Sequence, residues 1–408
     1  MMTKPAIAEG IGFINYSWQE LGLRVMAERV KDDGHCELRF FLKDNGSSEV
    51  LLHTTGVNLL ATPTMNSLAK RLEQNSDTIP WTEVLTSIVN ETLKIARRGE
   101  PVMEIYPKDD DTLEADYLLK PLLYRNHPAI IFGEYGSLKS LLALALAYIV
   151  QLPYQDNELE LITANEPTRC LYLDWEDDKD SFRKRLSALE CGFGNGEMPI
   201  YYRHMTGSLS DSVEQLQRII SDKNIGLIIV DSLGPAARGN LNDTEPAIKY
   251  HSALRQLSIT SLTLAHTAKD QLTKKRSIFG SVFFTNLARS VWECKAEQET
   301  GEDEAIISLK HVKANLSRLH PPLGYKFIFN DNKISISQVD LRDTGLSGEL
   351  PLSLQIKNLL RSGAKTTKEI AEVLEANKAS MRTITNRLAR KGQLTKVGDT
   401  WGLKVEVV

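Results

Sequence analysis

The spacing of hydrophobic positions changes along the chain, and each change marks a segment. Over residues 11–60, aromatic and β-branched residues run together, as in GHCELRFFLKDNGSSEVLLHTTGVNL. That pattern predicts strands, with Asp44-Asn45-Gly46 as a turn between two of them. From 64 to 98 the apolar spacing becomes helical, carried by Leu68, Leu72, Val84, Leu85, Ile88, Val89 and Leu93. The two patterns predict a small N-terminal α+β domain. Residues 107–116, with acids at 109, 110 and 111, read as a solvated linker. Beyond it, near-continuous apolar runs at 129–132, 170–174, 225–231 and 261–266 alternate with helical stretches at 139–151, 178–190, 211–223 and 245–257. Strands without polar alternation are buried on both faces, so this segment predicts an α/β core, a mostly parallel sheet covered by helices. Residues 350–404 return to short amphipathic helices and a hairpin. The expected domains are 1–117, 118–340 and 341–408, the last opening on a linker of little core around 345–348.

The first apolar strand of the core runs into AIIFGEYGSLKSLLALALA, residues 129–147, a strand, a turn and an apolar helix. This is the layout of a phosphate-binding loop, and Gly133, Lys139 and Ser140 meet the pattern G-x-x-x-x-G-K-[ST]. Backbone N–H groups of Gly133, Glu134, Tyr135, Gly136, Ser137, Leu138, Lys139, Ser140 and Leu141 can ring a β-phosphate at the positive end of a helix. The Lys139 ammonium can reach the β and γ oxygens, and Ser140 can hold magnesium. Leu138 stands where the pattern has its second glycine. A leucine driven to positive φ costs ~1 kcal/mol or more, part of which Gly136 is placed to absorb.

Other polar groups collect where the apolar strands stop. Glu176 follows the strand in CLYLDWEDD, Asp231 ends the one in IGLIIVDS, and His266 ends the one in SLTLAHTAKD. Ligands of open α/β sheets sit at the carboxyl ends of the strands, so Lys139, Glu176, Asp231 and His266 are expected around one nucleotide. Phosphoryl transfer needs positioned groups and neutralised charge more than covalent chemistry. Asp231 is then expected to hold magnesium through a water, and Glu176 to take a proton from the attacking water. Asp174, Asp177 and Asp178 are its rivals, the last two also suited to a helix N-terminus. His266 is placed to contact the γ-phosphate and pass its loss to the segment that follows.

Composition narrows the setting. With 408 residues the chain exceeds one ordinary core. A net charge of -4 excludes a protein that coats nucleic acid through a global positive field, so any such contact is local. Cys36, Cys170, Cys191 and Cys294 show no paired spacing, which predicts neither a zinc site nor a disulfide framework and suits a cytoplasmic setting. His35 and His53 stand apart from other chemistry-bearing residues. No signal pattern or membrane-spanning run is read.

In this order GEYGSLKS, YLDWEDD, LIIVDSLGP, LAHTAKD and SIFGSVFFTNLARSVWE resemble the RecA-like ATPases of the RepA/DnaB hexameric helicase type. The likeness covers roughly 118–340. It implies ATP and Mg2+ as ligands and a homo-oligomeric ring, a hexamer, with ATP at the subunit boundary. It also implies basic fingers reaching in from the neighbour. The segment ISLKHVKANLSRLHPPLGYKF is similar to the hairpin that carries them, making Lys313 and Arg318 the candidates and Lys310 the runner-up. Loops facing the ring channel then contact single-stranded DNA: 234–242 with Arg238, and 268–280 with Lys269, Lys274, Lys275 and Arg276. The last three form a local basic cluster in an acidic protein.

The C-terminal pattern is that of a winged helix-turn-helix. Thr366 and Glu369 make a capping box, 378–391 forms a third helix, and QLTKVGDTWGL turns at Gly398-Asp399. Met381, Ile384 and Leu388 give the third helix a buried stripe, leaving Arg382, Thr383, Asn386, Arg387 and Arg390 outward, as in a helix that enters the major groove of duplex DNA. From 361 to 404 there are ten lysines and arginines against four acids, an excess of six positive charges. The reading that follows is a DNA-dependent ATPase motor of the replicative helicase type. Its alternatives are a filament-forming recombinase-like ATPase and an initiator or regulator that uses ATP as a switch.

Overall fold

The computed structural model describes the chain except residues 1–2, 11, 32, 44–47, 99–101, 107–114, 154–155, 195, 197, 269–275 and 405–408. The turn expected at 44–46 and most of the linker at 107–116 therefore lie outside the described residues. The chain divides into two compact units, the first made of Met1–Asp111 with Glu214–Arg218, the second of Thr112–Val213 with Ile219–Val408.

In the first unit, strands Ala6–Gly10, Phe13–Trp18, Leu23–Glu28, His35–Lys43 and Glu49–Asn58 form an antiparallel sheet in sequence order. Alternation in Phe13–Trp18 turns Ile14, Tyr16 and Trp18 inward, as period-two spacing requires. Helices Thr62–Glu73 and Trp81–Ala96 cover that face with Leu68, Leu72, Trp81, Val84 and Ile88. Burial leaves the Tyr16 hydroxyl no water, and it bonds Thr92 Oγ1 at 2.7 Å.

Among the described residues the second unit is built on a nine-stranded sheet. Its order is Tyr201–His204, Arg169–Asp174, Ile225–Asp231, Thr260–His266, Pro128–Gly133, Ser290–Glu297, Glu304–Ala314, Leu323–Asn330 and Lys333–Val339. The first six strands run parallel and the last three antiparallel. Helix Lys139–Ile149 is apolar all round and buried from Leu141 to Ile149, as a helix enclosed in a core must be. Helix Lys179–Phe193 runs past the expected end at 190 because Phe193 stacks on Tyr148, with centroids 4.9 Å apart, before Gly194 stops it in the left-handed region. The core's first strand, Tyr117–Lys120, pairs with Leu123–Tyr124 and Ile162–Thr163 in a separate small sheet. No helix among the described residues is long and apolar enough to cross a membrane.

The stretch after the sheet is not the loose linker its composition suggests. It folds as 3-10 turns Leu341–Asp343 and Gly345–Glu349, buries Leu341 and Leu350, and sets Glu349 in an ion pair with Lys295, with Lys310 at 3.9 Å. Helices Leu352–Leu359, Thr367–Val373 and Lys378–Arg390 follow, with a three-stranded sheet of Lys365–Thr366, Thr400–Leu403 and Leu394–Val397. Their core holds Ile356, Leu360, Ile370, Met381, Leu388 and Trp401. The capping box of Thr366 and Glu369 is formed. In the third helix the buried stripe is Met381, Thr385 and Leu388, with Ile384 only half-buried. Thr385 fits inside because its hydroxyl bonds Met381 O at 2.9 Å.

Candidate nucleotide site

Strand register sets the site. Asp174 stands beside Asp231, and His266 beside Gly133, so the polar strand ends meet along one edge of the sheet. Gly133 leaves its strand against the backbone of Cys294: a Cβ there would lie 2.3 Å from Cys294 O, so the position admits no side chain. The turn beyond is tied by Ser137, whose hydroxyl donates to Glu134 O at 2.7 Å. Tyr135 is exposed at its tip. Both Gly136 and Leu138 lie at positive φ, +75° and +59°. Gly136 does not take the strain from Leu138. The leucine adopts the left-handed conformation itself, at the N-cap of the loop helix, and packs its side chain against the core.

Lys139 is buried under this turn. Its ammonium donates to Gly133 O at 3.2 Å, Glu134 O at 2.7 Å and Ser137 Oγ at 3.1 Å. Burial lowers its pKa, opposed by the carboxylates of Asp231, Glu176 and Glu134 around it. The Asp231 carboxyl is raised chiefly by burial, and hydrogen bonds from Tyr172 and Ser140 pull it back. The Tyr172 hydroxyl donates to Asp231 Oδ2 at 2.7 Å. Ser140 and Asp231 are thus neighbours, one hydroxyl and one carboxylate. That small oxygen set suits magnesium, which takes few protein ligands and completes its shell with water and phosphate. Among the described residues no cluster of three or more His, Cys, Asp or Glu side chains competes as a metal site.

The acids after the Arg169–Asp174 strand are sorted by their partners. Asp174 is buried and accepts the backbone N–H groups of Glu176 and Asp177 at 2.9 and 3.0 Å, which folds the strand end into a turn. Asp177 pairs with Arg185 at 2.6 Å, and Asp178 caps the next helix by accepting from Asp180 and Ser181. Glu176 remains. Its Oε1 accepts from the Ser232 hydroxyl and lies 3.7 Å from His266 Nε2. Sequence reasoning missed Ser232, Tyr172 and Cys294. The signals were the serine directly after Asp231 and the tyrosine on the same strand face as Asp174, both easily read as ordinary core and strand-end residues.

The remaining candidates are spread out. Lys313 donates to the carbonyls of Thr285, Asn286 and Ala288 at 2.9, 2.8 and 2.5 Å, so its ammonium closes off the short helix Val282–Leu287 of its own chain. Lys310 lies toward Glu349. Arg318 is exposed in the turn between strands Glu304–Ala314 and Leu323–Asn330. That turn is anchored by Ser317 on Tyr124 at 2.7 Å and by the His320 N–H on His311 Nδ1 at 3.2 Å. The segment expected as a loop at 234–242 begins instead with helix Leu233–Ala237, after which Arg238 is exposed at φ +54°. Lys269, Lys274 and Lys275 lie outside the described residues. Arg276 pairs with Glu134 of the phosphate loop at 3.1 Å. In the last long helix Arg382, Thr383, Asn386, Arg387 and Arg390 are all exposed.

Residues 109–271 match the family model of the AAA domain, a stretch that holds the phosphate loop, Glu176, Asp231 and His266. Over that stretch the parallel sheet, the loop and the match are those expected of a P-loop ATPase domain. No curated protein matches the chain. Among solved structures it is similar to a KaiC-like protein from the hyperthermophilic archaeon Pyrococcus horikoshii, at 15% identity and a TM-score of 0.36 over 54% of this chain and 93% of that one. So distant a likeness carries nothing about function.

Proposed function

We propose that the protein is a DNA-dependent ATPase motor of the ring-forming replicative helicase type. The carrying observation is that both side chains against Glu176 open basic segments: Ser232 leads into the stretch with Arg238, and His266 into the stretch with Lys269, Lys274, Lys275 and Arg276. Hydrolysis and polynucleotide contact would then lie on the same short segments of the chain.

The loop N–H groups cradle the phosphates, and Lys139 exchanges its contacts with the loop carbonyls for the β and γ oxygens. Ser140 and Asp231 would hold magnesium, which when bound would supply positive charge to offset that developing on the phosphates. Glu176 orients the attacking water and accepts its proton. His266 contacts the γ-phosphate. Arg318 reaches the nucleotide of a neighbouring subunit in a homohexamer, and single-stranded DNA lies in the channel. The C-terminal helices and hairpin act as a winged helix that reads duplex, supported by six excess positive charges and an exposed Arg382, Arg387 and Arg390.

The test is ATP turnover with and without single-stranded DNA, together with displacement of a strand from a forked duplex. Stimulated turnover and displacement are expected, and Glu176→Gln should keep ATP binding while losing both. A second reading, an initiator switched by ATP, is favoured by one observation, the left-handed Leu138 in the loop. Slow turnover indifferent to single strands, with no displacement, would select it. Filaments rather than closed rings on imaging would select a recombinase-like ATPase.

A further inference from the structure

We propose that Ser232 is a positioning residue that aims the Glu176 carboxylate at the attacking water, a step that rests on Glu176 being the base. Glu176 lies two residues past the end of its strand, where its backbone is fixed by Asp174 but its side chain is about half exposed, at 46%. A glutamate in that position has three free torsions, and a general base held loosely loses the alignment that proton transfer needs. Ser232 supplies the missing constraint. It is 2% exposed, and its backbone is locked between strand Ile225–Asp231 and helix Leu233–Ala237, with Ala236 N bonding its carbonyl at 3.3 Å. The hydroxyl on this fixed point donates to Glu176 Oε1.

The geometry also chooses between the two carboxylate oxygens. Ser232 and His266 both address Oε1, so Oε2 is the oxygen left to take the proton. The rival acids cannot be aimed in the same way, since Asp174, Asp177 and Asp178 are each turned to a backbone N–H or to Arg185. Ser232 is bonded to none of the phosphate-loop residues, so it acts on turnover and not on nucleotide affinity.

The experiment is steady-state ATP hydrolysis and fluorescent-nucleotide binding by the full chain carrying Ser232→Ala, Ser232→Thr, Glu176→Gln or Ser232→Ala with Glu176→Gln. Ser232→Ala is expected to lower kcat roughly 10- to 100-fold at unchanged KM and unchanged nucleotide affinity, in line with the sensitivity of near-attack geometry to small displacements. Ser232→Thr, which keeps the hydroxyl, should recover most of that loss, and Ser232→Ala should add nothing in the Glu176→Gln background. A Ser232→Ala kcat within about threefold of the parent overturns the inference. So does a parallel fall in nucleotide affinity, which would mark a structural role. Hydrolysis by Glu176→Gln at the parent rate would instead remove Glu176 as the base and with it the reading on which this step stands.

Discussion

The Tyr172 hydroxyl donates to Oδ2 of Asp231 across two adjacent parallel strands at 2.7 Å, and both side chains are buried. A buried carboxylate that must stay ionised needs donors, and here a phenol supplies one beneath the expected magnesium oxygen. Tyr172→Phe deletes the donor and keeps the ring. An unsatisfied buried acceptor costs about 1–3 kcal/mol, and the Asp231 pKa, already raised by burial, should rise further. Tyr172→Phe is therefore expected to melt at a lower temperature and to need several-fold more Mg2+ for half-maximal hydrolysis. An unchanged Mg2+ titration would separate the phenol from the metal site.

Leu138 offers a test of backbone strain against packing. At φ +59° a leucine costs ~1 kcal/mol or more relative to glycine, while its side chain contributes burial against the core. Glycine relieves the strain and loses the packing; alanine loses the packing and keeps the strain. The expected order in urea denaturation is that Leu138→Gly is more stable than Leu138→Ala. The reverse order would mean that the loop holds no strain at this residue.

Lys313 and Arg318 should separate as structure and finger. Lys313→Ala removes three bonds to carbonyls behind Val282–Leu287 and is expected to destabilise the fold by about 2 kcal/mol. Arg318→Ala, on an exposed turn, should melt like the parent, hydrolyse poorly alone, and regain activity when mixed with Glu176→Gln subunits, because hybrid boundaries combine an intact base with an intact finger. No recovery in mixtures would put Arg318 out of the neighbouring site.

How much of this was legible follows from where the information lies. Buried parallel strands announce themselves as apolar runs, so the core, the phosphate loop and the acids at the strand ends could be placed from residues alone. Glu176 could be preferred to Asp177 and Asp178 only loosely, because a cap and a catalytic acid look alike until Arg185 and the N–H groups of Asp180 and Ser181 are seen to occupy the rivals. Lys313 could not be told from Arg318 for a related reason: a lysine in a basic hairpin does not reveal that three carbonyls of its own chain surround it. The segment 345–349 was taken for a linker because glycine and serine carry no packing signal, whereas its anchors are Leu341, Leu350 and an ion pair to Lys295, distant in sequence.

Two buried histidines set an acid limit on stability. His251 and His311 are 3% and 4% exposed, and burial holds each pKa down at about 4. With an unfolded value of 6.5, the unfolded chain binds protons that the folded chain refuses as pH falls from 6.5 toward 4. Each ring thus contributes stability above pH 6.5 that is lost across this window, on the order of 3 kcal/mol. His311→Asn should therefore give a pH dependence of unfolding free energy shallower by about 1.4 kcal/mol per pH unit within the window. Urea melts at a series of pH values measure the slope; a slope equal to the parent's would mean that His311 is protonated in the folded protein.

The C-terminal helices invite a test that separates duplex binding from channel binding by salt. Each phosphate contact made by a lysine or arginine releases counterions, so binding weakens with salt at a slope that counts contacts. Arg387 and Arg390 are exposed in the last turn of helix Lys378–Arg390, and the stripe that fixes their direction is buried on the opposite side by Met381, Thr385 and Leu388. Removing both as Arg387→Ala with Arg390→Ala should leave the fold intact, weaken duplex binding, and lower the salt slope by about two units. ATP turnover stimulated by single strands should be untouched, because those contacts are expected at 238 and 268–280. A truncation built for the same purpose must keep residues through Pro351, since Leu346 and Glu349 line a cleft beside the phosphate loop and Leu350 is buried. If the double variant in the full chain binds duplex with the parent's affinity and salt slope, this helix does not meet phosphate, and its basic face serves contacts with another protein.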